Sequence, residues 1–326
     1  MKKSLPVQGS LILASLLAFH ANAGESLPMP TFHGNIDISL GLELAEETAF
    51  ALEDAPGDSN YIGLKGNIPL DSGDNITYLH EEYVDIVDGG GFRGSYQTYL
   101  GYKKGNDEYR IGNLDLPLKR VMDKADLFSS TYADLNAVIT TNTTADSALM
   151  YFSNTKELSY ALSIDFGQST AENANNEDAT KYMRMGAMAD MAISDAFSLA
   201  IGFENSESST DLGITANFDV SNDVSLNASI SRSDQDAAAP LSFTVGGYTR
   251  HGDDARIKAQ IGMMDPDTNA DNALMLAVGY DKKIASNLTA YGLIAIGDNG
   301  GLAANMEADA DDAASKVIAV GMNLTF

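Results

Sequence analysis

In the second half of the chain, oily and polar residues change places at every step. Val224-Ser225-Leu226-Asn227-Ala228-Ser229-Ile230-Ser231 is apolar at each even position and polar at each odd one. Asp211–Phe218 sets Leu212, Ile214, Ala216 and Phe218 against Asp211, Gly213, Thr215 and Asn217. Arg256–Met263 sets Ile257, Ala259, Ile261 and Met263 against Arg256, Lys258, Gln260 and Gly262. Successive side chains of a strand point to opposite faces, so each segment is a strand with one oily and one wet face; a helix would need apolar residues three and four apart. The same reading gives sixteen strands, near 31–44, 59–68, 76–87, 95–103, 108–113, 147–154, 158–167, 180–190, 197–205, 210–218, 224–232, 241–250, 255–263, 273–282, 287–296 and 315–326. Short polar connections such as 104–107 and 251–254 alternate with longer Gly, Asp and Asn-rich ones such as 45–58, 114–146 and 297–314. Asn, Asp and Gly suit such turns because they tolerate left-handed backbone.

Strands of this kind, ~9–11 residues long and tilted, cross a bilayer. In lipid every backbone N–H and C=O must pair within the protein, so the sheet has to close. Sixteen strands enclose a lumen too wide for side chains to fill, which leaves water inside. The polar faces then line the lumen and the apolar faces meet lipid. Phe152, Phe166, Phe197, Phe218, Tyr102, Tyr109, Tyr280 and Phe326 fall near strand ends, where interfacial aromatic girdles sit. The expected fold class is all-β: a closed antiparallel up-and-down transmembrane β-barrel. A soluble β-sandwich would share the alternation but not the alternating loop lengths around an even strand count. With 46 acidic and 20 basic residues the net charge is −26, and there is no Cys. The charge excludes a general nucleic-acid binder, whose phosphates it would repel. The missing Cys excludes disulfides, thiolate metal sites and a Cys nucleophile. At the start, Lys2 and Lys3, the apolar run Leu11–Phe19 and Ala21-Asn22-Ala23 follow the order of an export signal. Its apolar run is about half of the ~20 residues a spanning helix needs. Residues 1–23 are therefore expected to be a cleaved leader, and 24–326 the barrel domain.

Lys316–Phe326 (KVIAVGMNLTF) ends on Phe, with Leu324, Met322, Val320 and Ile318 at two-residue steps before it. This resembles the closing strand of Gram-negative outer-membrane proteins. A second stretch is more specific: Gln97-Thr98-Tyr99-Leu100-Gly101-Tyr102-Lys103, then Glu108-Tyr109-Arg110-Ile111-Gly112-Asn113-Leu114-Asp115-Leu116-Pro117, then Ala125-Asp126-Leu127-Phe128, then Tyr151-Phe152-Ser153-Asn154. Together with Asn60-Tyr61-Ile62-Gly63-Leu64-Lys65-Gly66 it is similar to the general bacterial porins. That resemblance implies a trimeric, sixteen-stranded diffusion channel in the bacterial outer membrane, among lipid and lipopolysaccharide. It also implies a third loop, residues 114–146, folded inward to narrow the pore. The constriction residues it implies are Asp115, Asp123, Asp126 and Asp134, with Lys119, Arg120 and Lys124 on the same loop. Strand parity puts Arg110, Arg184, Arg256 and Lys258 on the facing pore wall. Phe326, Leu324 and Met322 would be the signal read by the barrel-assembly machinery. Where the family usually carries Arg, this chain has Tyr61, Tyr96, Asn113 and Met150. Together with the net charge, this thinned basic wall leads to the expectation of a modest cation preference. The second to fifth strands alternate less cleanly than the last seven, as a wall that meets a neighbouring subunit would.

Other motifs do not compete well. Gly89-Gly90-Gly91-Phe92-Arg93-Gly94 matches a dinucleotide fingerprint, but a strand rather than a helix follows it. Asp265–Asp271 begins like a calcium loop, yet Ala270 stands where Gly is needed and Leu276 where Glu is needed. Four His (His20, His33, His80, His251) show no metal-ligand spacing, and there is no G-x-S-x-G. A barrel hydrolase or an adhesin are the alternatives. The small polar lumen set argues against a plugged adhesin. The partners expected are small hydrophilic solutes and ions; no cofactor, metal or nucleic acid is expected.

Overall fold

The structure is a computed structural model that describes residues 28–44, 48–54, 60–87, 89–139, 144–167, 183–235, 238–299, 301–302 and 314–326. The leader 1–23 lies outside the described residues. The strands are β1 (Thr31–Leu44), β2 (Thr48–Asp54), β3 (Tyr61–Pro69), β4 (Asn75–Asp85), β5 (Gly91–Lys104), β6 (Asp107–Asp115), β7 (Thr144–Asn154), β8 (Leu158–Asp165) and β9 (Arg184–Ser194). They continue with β10 (Phe197–Asn205), β11 (Ser209–Asp219), β12 (Val224–Gln235), β13 (Leu241–Arg250), β14 (Ala255–Asp265), β15 (Ala273–Ala285), β16 (Leu288–Asp298) and β17 (Ala314–Thr325). One short helix, α1 (Pro117–Met122), lies between β6 and β7.

From β3 onward every strand pairs antiparallel with the next, and β1 pairs with β17 from Asn35↔Thr325 to Leu44↔Lys316. The sheet is therefore closed, which removes the unpaired edges that lipid would penalise. The first half of β1 pairs with β3 and the second half with β2, so β2 and β3 share one wall position and the barrel has sixteen. The sequence reading places 45–58 in a loop; instead β2 prolongs the hairpin. The reason is legible in the pairing: Phe50 and Leu52 sit opposite Leu42 and Leu40 and extend the same outward apolar face. The ninth strand runs on to Ser194, past the expected end at 190, in register with β10 from Asn205↔Met185 to Ser198↔Ala192 with a shift before Phe197↔Ser194; residues 180–182 of the expected strand lie outside the described residues.

The two faces separate as period two requires. On β12, Leu226 and Ile230 are exposed, and Asn227, Ser229, Ser231 and Ser233 are buried inside. The outer face continues as Phe243, Val245, Ile257, Ile261, Leu276, Val278, Ile294, Ile318 and Val320. The outer face of β4–β7 differs. There His80 Nδ1 lies 2.8 Å from Thr98 Oγ1, His80 Nε2 lies 3.0 Å from Glu82 Oε1, and Ser95 meets Thr98 at 2.7 Å. Asn113 bonds Asp146 nearby, outside rather than in the lumen, because it shares the parity of exposed Tyr109 and Ile111 and not that of Arg110. Phe326 closes the seam: its backbone exchanges two hydrogen bonds with Gly34, and its ring packs on Phe32 at 5.3 Å. Met322 is exposed on the outer face, two pleats earlier.

Candidate pore constriction

The loop that follows β6 leaves the wall midway along β5, where Thr98 lies opposite Asn113. Pro117 opens α1 at a position where its missing N–H is no loss. From there the segment crosses the barrel interior and seats on the inner faces of β9–β17. Its ledge is made of residues with little or no side chain. A Cβ on Gly202 or Gly213 would strike Leu118, one on Gly262 would strike Val138, and one on Gly279 would strike Phe128. Ala200, Met275, Ala277, Ala295, Val317 and Ala319 fill the same apolar cluster with Phe128, Tyr132 and Leu135. The inner face is thus apolar beneath the loop and polar elsewhere, a departure from the uniformly polar lumen that alternation alone suggests.

Three wall side chains tie the loop backbone down. Glu204 Oε1 accepts from Leu118 N at 3.0 Å. Gln260 Oε1 accepts from Leu127 N at 2.9 Å, and its amide donates to Ala133 O at 3.2 Å. Lys258 Nζ donates to Leu127 O at 2.8 Å, meets Asp281 at 3.1 Å and lies 4.4 Å from the Phe128 ring centre. Lys258, read from parity as a pore-wall cation, does face inward but is buried under the loop.

The predicted constriction residues fall into two sets. Asp126 and Asp134 are internal to the loop. Asp126 accepts from Phe128 N and Leu135 N, and Asp134 from Ser130 N and Asn136 N. Burial first, and then the adjacent Asp134 charge, hold the Asp126 carboxyl well above its ordinary range; burial raises Asp134 too. The other set lines a cavity of ≈ 510 Å³ between the loop and the wall: Asp115, Arg120, Asp123 and Lys124 from the loop face Phe152, Asn154, Tyr160 and Asp190. Lys119, outside the lining, bonds Asp123, and Lys124 bonds Asp190 across the cavity, both at 2.8 Å. Phe152 turns inward rather than joining the outer girdle: it shares the parity of buried Met150, and Arg110 and Arg120 lie 4.6 and 4.5 Å from its ring centre. Arg110 also pairs with Glu108 at 2.9 Å, Arg256 with Asp281 at 2.6 Å, and Arg184 reaches Glu204 at 3.9 Å. Met150 is fully buried at the loop root beside Leu114 and Leu116.

Across from the loop, the resemblance puts Tyr61 and Tyr96 on the wall, but sequence reasoning missed Tyr83, Glu81 and the contact among the three rings. Tyr61, Tyr83 and Tyr96 pack together inside β3–β5, at centroid distances of 4.9 Å. Glu81 is buried beside them, 3.6 Å from His33. The register shift between His80 and Glu82 turns Tyr96 and Gln97 both inward, which a strict period-two reading cannot show. The ledge glycines were missed too, although each occupies a lumen position.

A closed antiparallel barrel with polar inner walls, an apolar outer belt and its own loop docked across the lumen is the architecture of an outer-membrane channel. The chain belongs to the Gram-negative porin family, whose family model matches residues 10–302. No curated protein matches it in sequence. Among solved structures it is similar to an anion-selective porin from Comamonas acidovorans, at 16% identity and a TM-score of 0.75, covering 91% of this chain and 99% of that one. OmpT, an outer membrane protein of Vibrio cholerae, matches in its trimer form at 14% identity and a TM-score of 0.68, covering 91% and 99%. A mutant Rh. blastica porin matches at 16% identity and 0.66, covering 91% and 100%. At these identities the likeness is one of fold. The protein is an outer-membrane porin, and the chemistry of its pore rests on its own residues.

Proposed function

We propose that this porin passes small hydrophilic solutes and ions down their gradients without covalent chemistry, with a modest preference for cations. The observation that carries the sign is the pairing pattern. Arg110, Arg184, Arg256, Lys119, Lys124 and Lys258 each have a carboxylate within 4 Å. Asp115, at the loop root, bonds the neutral amide of Gln97 at 2.8 Å. Lys119 and Arg120 lie in its electrostatic reach, which keeps the excess small. A wall of one residual sign focuses its field on ions of the other sign, most strongly at low ionic strength. The Comamonas acidovorans porin is anion-selective on the same barrel, so the sign belongs to the side chains. Reversal potentials of single channels under a KCl gradient test the reading. Cation preference that shrinks with salt is expected; a clear anion preference would show that Arg110 and Arg120 set the field.

The working form is a homotrimer joined through the outer face of β4–β7. A His80–Glu82 pair facing hydrocarbon would be costly, and a neighbouring subunit gives it a protein surround. Residues 1–23 act as the export leader, and Phe326, Leu324 and Met322 as the assembly signal. The Thr98–His80–Glu82 chain of contacts has the order of an acyl-transfer triad and is the observation that favours a hydrolase reading. His80 is buried, so a structural role is preferred. Ester hydrolysis by the purified barrel that is abolished in His80→Ala would reverse that preference.

A further inference from the structure

The inner wall of β3–β5 stands at the height of the loop root and outside the area the loop covers. Tyr96 is stacked on Tyr61 with 25° between their planes, and Tyr83 tilts against Tyr96 from the other side. The three rings are half-buried, unlike the fully buried Phe128 and Tyr132 beneath the loop. Two carboxylates border them. Glu81 lies in the bulge opposite Tyr96 and is 5% exposed. Asp115 is 9% exposed; its Oδ2 accepts from Gln97, the residue after Tyr96, and its Oδ1 has no hydrogen-bond partner among the described residues. The basic groups around them are committed elsewhere or open to water. Lys119 bonds Asp123, Arg120 lies on Phe152 and donates its Nε to the Asp115 backbone oxygen at 3.4 Å rather than to the carboxylate, Lys65 is exposed, and His33 sits 3.6 Å from Glu81.

We propose that Tyr61, Tyr83 and Tyr96, with Asp115 and Glu81, form a recognition subsite for small organic cations that carry a guanidinium or ammonium group. The inference deepens the channel reading and rests on it. A cation over an aromatic face is attracted by the ring quadrupole, and desolvation strengthens that attraction. The same lumen already uses this contact for its own side chains, with the Arg110 guanidinium 4.4 Å from the Tyr99 ring centre. A neutral solute such as a sugar could also lie on the rings, but it would bring no charge to the unbonded Asp115 Oδ1, whose cationic neighbours Lys119 and Arg120 reach it only through space, and a buried charge without a direct partner is unfavourable. A planar guanidinium supplies both the stacking face and a forked donor for Asp115.

Single-channel recording in KCl with butylguanidinium or its neutral isostere butylurea tests this. Butylguanidinium is expected to interrupt the open current in a concentration-dependent way, and butylurea is not. Asp115→Asn and Tyr96→Leu should each shorten the interruptions at least fivefold, whereas Tyr109→Leu, on the outer face, should not. Asp115→Asn is nearly isosteric and keeps a bond to Gln97, so it decides the matter even if Tyr96→Leu fails to fold. Equal interruption by butylurea, no interruption, or unchanged dwell times in Asp115→Asn would overturn the subsite while the open-channel steps in the same records leave the porin reading standing. A protein that gives no conductance steps would overturn both.

Discussion

At the scale of single residues, charge type and burial divide groups that look alike in sequence. Asp123 and Asp126 are three positions apart, yet Asp123 borders the cavity while Asp126 caps amides inside the loop. Asp123→Asn should therefore shift the reversal potential toward anions without changing the fold. Asp126→Asn should act on loop docking instead, and pH should show it. Burial, and then the neighbouring charge, raise the Asp126 carboxyl, so the docked loop holds a proton that a free chain has lost. Its contribution is whole below the ordinary carboxylate value of ~4 and declines as pH climbs toward the raised one. Amide-exchange protection at Phe128 and Leu135, corrected for intrinsic rates, should be higher at pH 5 than at pH 8, and Asp126→Asn should flatten the difference. A flat profile in the unmodified protein would refute the shared burial. Parity puts Arg110, Arg184, Arg256 and Lys258 inward, as found. It has no means of separating Arg256, near a rim, from Lys258 under the loop, because cover by a distant segment leaves no mark in a local alternation.

At the scale of elements, the docked loop and its ledge are complementary in a way the sequence carries but period two does not reveal. A lumen position normally reads as polar. Gly202, Gly213, Gly262 and Gly279 read as gaps in that pattern, and each is a place where a loop side chain comes within van der Waals distance of the wall. Small residues recurring on the wet face of successive strands are the signal that could have located the seat. The resemblance of 114–117 and 125–128 to known porins suggested an inward loop, but which strands it rests on had to come from packing. The same limit applies to the bulge at Tyr96 and Gln97, where one extra residue reverses parity. Gly262→Val crowds the seat, because even a bare Cβ at this position would lie 2.5 Å from Val138 Cγ2. Overpacking of this kind costs ~1–3 kcal/mol, and here it falls on docking rather than on the ladder. The expected result is a barrel of normal heat-modifiable migration whose channel is larger and noisier. A quiet channel of parental conductance would mean that the loop is not the narrowing element.

At the scale of the whole molecule, the outer surface is two surfaces. From β11 to β17 it is an unbroken apolar belt, and from β4 to β7 it carries His80, Glu82, Thr98 and Asn113. Alternation made the first surface legible because lipid imposes one rule on every outward position, whereas a protein partner imposes a different rule at each. The contrast yields a graded test. Ile230, in the middle of β12, is exposed on the belt, and Arg there should cost ~2–4 kcal/mol; Leu226, nearer the strand end, should cost less, since the penalty falls toward the interface. Ser225 has the opposite parity and opens to the lumen, so Ser225→Arg should cost far less than Ile230→Arg. Asn227 is a poor lumen control, because it lies against Gly246, next to Leu127 of the docked loop. Reversible unfolding in detergent or lipid gives the three values. The order Ile230, Leu226, Ser225 follows only if hydrocarbon lies outside and water inside, and equal penalties at Ile230 and Ser225 would break the link between the period of the sequence and the membrane.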